Sequence, residues 1–133
     1  MGNTSIVIVS HSKKLAEGLL QIASQMAGQS VHIGIAAGIG DELGTSAPAI
    51  VDEIMKCPLE SPILLFFDLG SALMNCQMAL EILPDDIAER VTIVDAPLVE
   101  GIISASVSAS LGQTNLDVIN AAMEAYQIRK ILD

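Results

Sequence analysis

The chain has 133 residues, of which 51% are hydrophobic and 2% aromatic, so it is long enough for one domain, residues 1–133, with an aliphatic core. Its formal net charge of -10 excludes nucleic acid as a partner, because phosphate backbones are bound by clustered lysine and arginine. The longest fully apolar run, residues 63–67, is too short to cross a membrane, and no secretory signal opens the chain.

The first predicted element is a strand that ends close to a histidine. Residues 6–9 are β-branched and do not alternate with polar residues, which is typical of a strand buried on both faces of a parallel sheet. His11 therefore lies at the carboxyl end of a strand, the edge at which open α/β sheets keep their sites. Residues 13–28 predict a helix with Ser12 as its N-cap and a glycine at its end. The predicted inward face of this helix consists of Leu15, Leu19, Ile22 and Met26.

Three further strands follow, and each leads into a helical pattern. The strands are predicted at residues 31–35, 62–67 and 91–94. The helices are predicted at residues 46–57, 70–83, 97–111 and 116–126, the last with Leu116, Ile119, Met123 and Tyr126 on one stripe. The tail, residues 127–133, also has a helical pattern. This alternation predicts an α/β fold, an open parallel four-stranded sheet of order 2-1-3-4 with helices on both faces, in three layers.

The two inner strands of that sheet end on residues that could act together. In the order 2-1-3-4 the winding reverses between the first and third strands, which end at His11 and Asp68. Neighbouring strands lie about 4.8 Å apart, so Asp68 could hold one ring nitrogen of His11 and leave the other to react. Gly70 and Ser71 at the next helix start, with Ser12 at the preceding one, could contact phosphate oxygens. The pattern predicts a phosphohistidine site.

Each of these residues also has a structural interpretation, which the spacing alone leaves open. His11 could be a hydrogen-bonded loop residue, and Asp68 and Ser71 could merely cap a helix. His32 is predicted to be a solvent-facing strand residue, because no acidic partner is evident. Asp95 ends the fourth strand and is predicted to cap the helix that follows.

Neither metal nor cofactor is predicted from the sequence. Asp41 and Glu42 lie in a glycine-rich loop without other ligands at suitable spacing, so they indicate a solvated turn. Cys57 and Cys76 lack the spacing of a metal or redox motif, which predicts buried, reduced thiols in a cytoplasmic protein.

Five segments, in order along the chain, resemble one family of bacterial proteins. They are residues 9–12 (Val-Ser-His-Ser), 35–38 (Ile-Ala-Ala-Gly), 44–45 (Gly-Thr), 68–73 (Asp-Leu-Gly-Ser-Ala-Leu) and 95–101 (Asp-Ala-Pro-Leu-Val-Glu-Gly). The family is the phosphotransfer subunit of the phosphoenolpyruvate-dependent dihydroxyacetone kinase. Its domain is similar to the IIA component of mannose-type sugar phosphotransferase systems.

The resemblance implies a relay of phosphoryl groups between proteins. His11 would accept the group on Nε2 from the phosphocarrier protein HPr and pass it to ADP bound in the nucleotide-binding subunit of the kinase. Asp68 would be the orienting partner and Ser71 a phosphate contact, with much of the catalysis supplied by in-line positioning. The resemblance also suggests a homodimer. In mannose-type relatives a strand after the last helix is exchanged between subunits, whereas this tail has a helical pattern.

Other functions compete with this one. A mannose-type sugar IIA component would use the same histidine and pass phosphate to a IIB domain. A signalling receiver would be phosphorylated on Asp68, but it needs an acidic pair where Ser10 and His11 stand. A flavin-binding electron carrier would need a glycine- and threonine-rich phosphate loop and aromatic residues, which the chain lacks. With an inert His11, the chain would be a non-catalytic interaction domain.

Overall fold

Four parallel strands form one open sheet in the computed structural model, which describes residues 3–132. The strands are β1 (Ser5–Ser10), β2 (Ile33–Ala37), β3 (Ile63–Phe67) and β4 (Val91–Ile93). Their order is β2-β1-β3-β4 and every pair is parallel. The predicted α/β fold and sheet order are confirmed, although β2 begins two residues later than predicted, so that His32 precedes the strand.

Helices cover both faces of the sheet. They are α1 (Lys13–Ala27), α2 (Ala47–Met55), α3 (Gly70–Ile82), α4 (Asp85–Ala88), α5 (Leu98–Ser110) and α6 (Asn115–Glu124), with a 3-10 turn at Ala125–Gln127. The core on one face joins α1, α5 and α6 to the sheet, and the core on the other face joins α2, α3 and α4. No helix in the described part of the chain is long and apolar enough to cross a membrane.

Strand β1 lies at the centre of both cores. All six of its residues are buried, as the unbroken apolar run predicts. Because successive side chains point to opposite faces, Ile6 and Ile8 belong to the core with α1, whereas Val7 and Val9 belong to the core with α2 and α3. Central placement fixes the end of β1, and therefore the position of His11, from both sides.

Two predicted helix faces are wrong for most of their residues, although Leu19 is buried as predicted. In α1 the buried residues are Ala16, Leu19, Ala23 and Ala27, whereas Leu15, Ile22 and Met26 are exposed. In α6 they are Val118 and Ala122, whereas Leu116 and Met123 are exposed and Ile119 is partly buried; Tyr126, in the 3-10 turn, is exposed as well. The reason is the small-residue surface of α5, which buries Gly101, Ala105, Ser106 and Ala109. Alanine and glycine permit close packing, and the longer side chains then lie outside the contact.

The end of the chain also differs from its prediction. A helix was predicted over residues 127–133, but the 3-10 turn ends at Gln127 and residues 128–132 form neither helix nor strand. Residue 133 lies outside the described residues. The Tyr126 hydroxyl donates a hydrogen bond to Asp95 Oδ1 at 2.6 Å. Asp95 therefore does not cap α5, whose N-cap residue is Pro97 without a side-chain cap bond.

The two cysteines are buried and free, as predicted. Cys57 follows α2 and Cys76 lies on the inner face of α3, both in the core on that face of the sheet. Burial raises the pKa of each thiol to about 11, so both are protonated at neutral pH. They act as small apolar core residues.

Candidate functional site

The predicted pair of His11 and Asp68 is formed. His11 follows the last residue of β1, and Asp68 follows the last residue of β3, the neighbouring strand. The Nδ1 atom of His11 lies 2.9 Å from Oδ1 of Asp68. The His11 side chain is 24% exposed and that of Asp68 is 11% exposed. The carboxylate is thus largely enclosed, whereas the imidazole can still be reached from solvent.

The carboxylate of Asp68 accepts hydrogen bonds on both oxygens. Oδ2 accepts from the Ser10 hydroxyl and from the backbone N–H of His11, each at 2.9 Å. Oδ1 accepts from the backbone N–H of Leu69 at 2.7 Å in addition to the imidazole. Burial alone raises the pKa of Asp68, but these bonds from His11, Ser10 and Leu69 outweigh it and hold the pKa below its ordinary value. Asp68 is therefore ionised at neutral pH.

An ionised Asp68 determines the tautomer of His11. A carboxylate is only an acceptor, so Nδ1 must carry the proton that it donates to Oδ1. In the neutral ring Nε2 then has a free lone pair. The open question about Asp68 is also answered, because the N-cap residue of α3 is Leu69 and has no side-chain cap bond. The Asp68 carboxylate thus contacts the imidazole and does not cap the helix from the N-cap position.

The predicted phosphate-binding residues lie at the starts of the two helices next to His11. Ser71 is the second residue of α3, and its Oγ lies 2.8 Å from Nε2 of His11. Gly70 begins α3, so its backbone N–H has no partner within the helix. Ser12 caps α1 by accepting from the Leu15 N–H at 3.2 Å, which leaves its hydroxyl proton free to donate. The starts of two helices thus adjoin the imidazole.

Several supporting contacts are not evident from the sequence. The loop after β2 is joined to β1 by two backbone bonds, from Gly38 N–H to the Ser10 carbonyl at 3.2 Å and from Gly44 N–H to the His11 carbonyl at 2.9 Å. Asn75 donates to Oγ1 of Thr45 at 2.6 Å and so joins the same loop to α3. The sequence gives one indication of the Asn75 contact: Asn75 stands four residues after Ser71, which places both on one face of α3.

The other candidate residues lie outside this site. His32, which was predicted to face solvent, is only partly exposed: its Nε2 is buried and has no hydrogen-bond partner among the described residues. Asp41 and Glu42 are exposed in a turn, as predicted, and residues 3–132 contain no group of three potential metal ligands. That turn lines a cleft of about 430 Å³ with Lys13 and Lys14 at the start of α1, next to the site.

Comparison with known proteins places this chain in a family. The EIIA-man family model, described as PTS system fructose IIA component, matches residues 5–119, and the chain belongs to this family. The match includes all five predicted site residues. The resemblance proposed from the sequence segments is therefore confirmed.

Curated relatives place the chain more narrowly, among phosphoryl donor subunits named DhaM. The chain is 46% identical over 106 residues to that subunit of PEP-dependent dihydroxyacetone kinase 2 from Listeria innocua, covering 79% of this chain and 85% of the relative. It is 42% identical over 129 residues to the DhaM subunit from Providencia stuartii, covering 94% of this chain but 27% of that longer relative.

A solved structure confirms the fold. The crystal structure of EF1359, a protein of unknown function, is similar with a TM-score of 0.89 and 29% sequence identity. The similarity covers 98% of this chain and 99% of that one.

Proposed function

We propose that this chain is a phosphoryl carrier of a dihydroxyacetone kinase. It accepts a phosphoryl group from HPr on Nε2 of His11 and passes it to ADP bound in the nucleotide-binding subunit of the kinase. It is thus the phosphotransferase component of that system, with Asp68 as the orienting residue. The DhaM relatives support this assignment, because their names describe phosphoryl donor subunits of such kinases.

The observation that carries the proposal is the contact between His11 Nδ1 and Asp68 Oδ1 at 2.9 Å. It fixes the proton on Nδ1, and the free lone pair on Nε2 is then the nucleophile. In the transfer, the Nε2–P bond forms while the bond between phosphorus and the donor breaks. The partly exposed ring allows a protein donor to approach. Both oxygens of Asp68 are occupied by donors, which disfavours phosphorylation of Asp68 as in a receiver.

The surroundings of Nε2 favour a phosphate group electrostatically. The amino ends of α1 and α3 carry partial positive charge, and neither helix has an acidic residue in its first turn. The Gly70 N–H and the hydroxyls of Ser71 and Ser12 are donors in reach of this end of the sheet. They would bind the oxygens of the phosphoryl group, Ser71 by moving its hydrogen bond from Nε2 to an oxygen.

Phosphorylation of the chain by phosphoenolpyruvate, enzyme I and HPr tests the donor step. We expect one acid-labile, base-stable phosphate, assigned to Nε2 of His11 by ³¹P NMR and absent from His11→Ala. His32→Ala is the matched control, since it removes the other histidine of the chain and should label normally. Labelling of His11→Ala at the rate of the parent would refute the proposal. Asp68→Ala should transfer more slowly yet remain folded by circular dichroism; an unchanged rate would remove Asp68 from the mechanism.

The acceptor step separates the proposal from a second candidate. The family model is described as a fructose IIA component, which favours a sugar-system carrier that passes phosphate to a IIB domain. Phosphorylated protein should be mixed with an ADP-loaded kinase subunit or with a IIB domain. We expect rapid loss of phosphate and formation of ATP with the kinase subunit only. Transfer to the IIB domain alone would establish the second candidate.

The proposal also includes a homodimer that acts in the cytoplasm. The two free, buried thiols are compatible with a reducing compartment. Exposed apolar residues, among them Ile131 and Leu132, supply surface for a second copy.

A further inference from the structure

Three side chains of the site form one continuous chain of hydrogen bonds. Oγ of Ser71 lies 2.8 Å from Nε2 of His11, and Nδ1 of His11 lies 2.9 Å from Oδ1 of Asp68. The order of serine, histidine and carboxylate, and both distances, match the relation between nucleophile, base and orienting acid in serine hydrolases. Such an arrangement can activate the serine hydroxyl as a nucleophile, which is a reaction separate from phosphoryl transfer to His11.

The positions of the protons on His11 and Ser71 determine which atom donates in each of these hydrogen bonds. Because ionised Asp68 requires the proton on Nδ1, Nε2 is an acceptor and the Ser71 hydroxyl donates to it. A base is therefore already aligned to remove the hydroxyl proton when Oγ attacks. Ser71 is also exposed, so a small electrophile can reach it.

The start of α3 supplies donors for a developing negative charge. Gly70 and Ser71 are its first two residues, and within the described part of the chain their backbone N–H groups have no acceptor. The N–H of Ala72 is engaged with the Leu69 carbonyl at 2.9 Å. Two free N–H groups beside a nucleophilic oxygen are what an oxyanion hole requires.

We propose that Ser71 of the unphosphorylated protein is an activated nucleophile that cleaves small carboxylic esters. Oγ of Ser71 forms a bond to the acyl carbon while its proton moves to Nε2 of His11. The C–O bond to the leaving group then breaks, and His11 gives the proton to the departing alcohol. Water attacks the acyl-serine with His11 again as base, which releases the carboxylic acid and restores Ser71.

This esterase activity goes beyond the proposed relay. The two cannot operate at the same moment on one chain. A phosphoryl group on Nε2 occupies the lone pair that accepts the serine proton. One site would thus have two states, a phosphorylated carrier without nucleophilic serine and a free form with one. This dependence on phosphorylation rests on the proposed function, whereas the activity of the free form does not.

A fluorophosphonate, which modifies activated serines, tests the inference on the whole chain. Attack by Oγ forms a P–O bond, breaks the P–F bond and transfers the serine proton through His11. We expect one phosphonyl group per chain, located on Ser71 by peptide mass spectrometry and absent from Ser71→Ala. His11→Gln should slow the reaction at least about a hundredfold, because general-base catalysis contributes that much. The parent should also cleave p-nitrophenyl acetate through an acyl group on Ser71. This cleavage should decline in Ser71→Ala and His11→Gln as the labelling does.

Ser24→Ala is the matched control, since Ser24 is exposed on α1, and it should react like the parent. Absence of labelling, labelling of a serine other than Ser71, or an unchanged rate in His11→Gln would each overturn the inference. Protein phosphorylated by HPr should resist the reagent, and equal labelling of that form would show that His11 is not the base. Loss of phosphoryl transfer with intact labelling of Ser71 would refute the proposed function alone.

Discussion

At the scale of single residues, Asp68 contributes charge and orientation to the same site. Its two oxygens accept four hydrogen bonds, and three of their donors come from Ser10 and His11. Asp68 therefore joins the carboxyl ends of β1 and β3 as well as fixing the imidazole. Replacing it with asparagine, with the amide nitrogen beside Nδ1, would leave the two donors at that position, His11 Nδ1–H and the Leu69 N–H, without an acceptor.

The lowered pKa of Asp68 predicts how this contribution depends on pH. Because its pKa in the folded state lies below its ordinary value of 3.8, the ionised group stabilises the fold above that pH. The stabilisation is lost as the pH falls through the folded-state pKa. We expect the difference in unfolding free energy between the parent and Asp68→Asn to be larger at pH 5 than at pH 2.5, measured by urea denaturation. A difference that stays constant over this range would show that the carboxylate is not stabilised by its neighbours.

The main residues of the site could be predicted from the sequence, whereas their supports could not. The positions of His11 and Asp68 follow from strand ends in a parallel sheet, and that geometry depends only on strand order. The contact of Asn75 with Thr45 depends on the path of the loop after β2, which local patterns do not determine.

At the scale of elements, the helices on the α1, α5 and α6 face of the sheet pack through small residues. Gly101 shows how close this packing is: a Cβ built on it would lie 2.8 Å from Cβ of Ala96 and 3.5 Å from the Ala122 carbonyl oxygen. Gly101 is the last residue of one of the segments that carry the family resemblance. Glycine at position 101 is therefore explained by the close packing of α5 against its neighbours.

A pair of glycine substitutions tests this packing. Gly101→Ala forces a methyl group against Ala96, and overpacking of this kind costs about 1–3 kcal/mol. Gly18→Ala is the matched control in α1, where no atom lies within 4 Å of the added Cβ, so we expect a gain of about 0.5–1 kcal/mol from helix propensity. Urea denaturation measures both. Equal stabilisation by the two substitutions would show that α5 has room at this position.

The same packing explains why two helix faces were wrong in the sequence prediction. Hydrophobic periodicity gives most weight to large side chains, and in α1 it selects Ile22 and Met26, which are exposed. The buried positions are mostly alanines, whose small hydrophobicity gives a weak signal. Strands were predicted better because β1 and β3 are buried on both faces, and residues 6–9 and 63–67 are apolar at every position regardless of register.

At the scale of the whole molecule, three of the exposed apolar residues, Ile128, Ile131 and Leu132, lie in the tail that follows the 3-10 turn. Ile131 is 76% exposed and Leu132 is 85% exposed, although the tail before them is held in place. Tyr126 bonds to Asp95, and Lys130 forms an ion pair with Glu100 on α5 at 3.4 Å. Contiguous exposed apolar side chains mark surfaces that pack against other molecules, which makes this tail a candidate contact surface.

The proposed homodimer gives this tail a partner, and the prediction can be tested by its mass in solution. We expect the parent to sediment as a dimer and the double variant Ile131→Ser, Leu132→Ser to shift toward monomer, because it removes apolar area that a second copy would bury. Leu59→Ser is the control, since Leu59 is 90% exposed elsewhere on the surface and should leave the dimer intact. A double variant that sediments like the parent would exclude the tail from the interface, and a monomeric parent would exclude the dimer. Because Lys130 and Tyr126 are unchanged, the base of the tail keeps its contacts, so a loss of association would report the apolar surface itself.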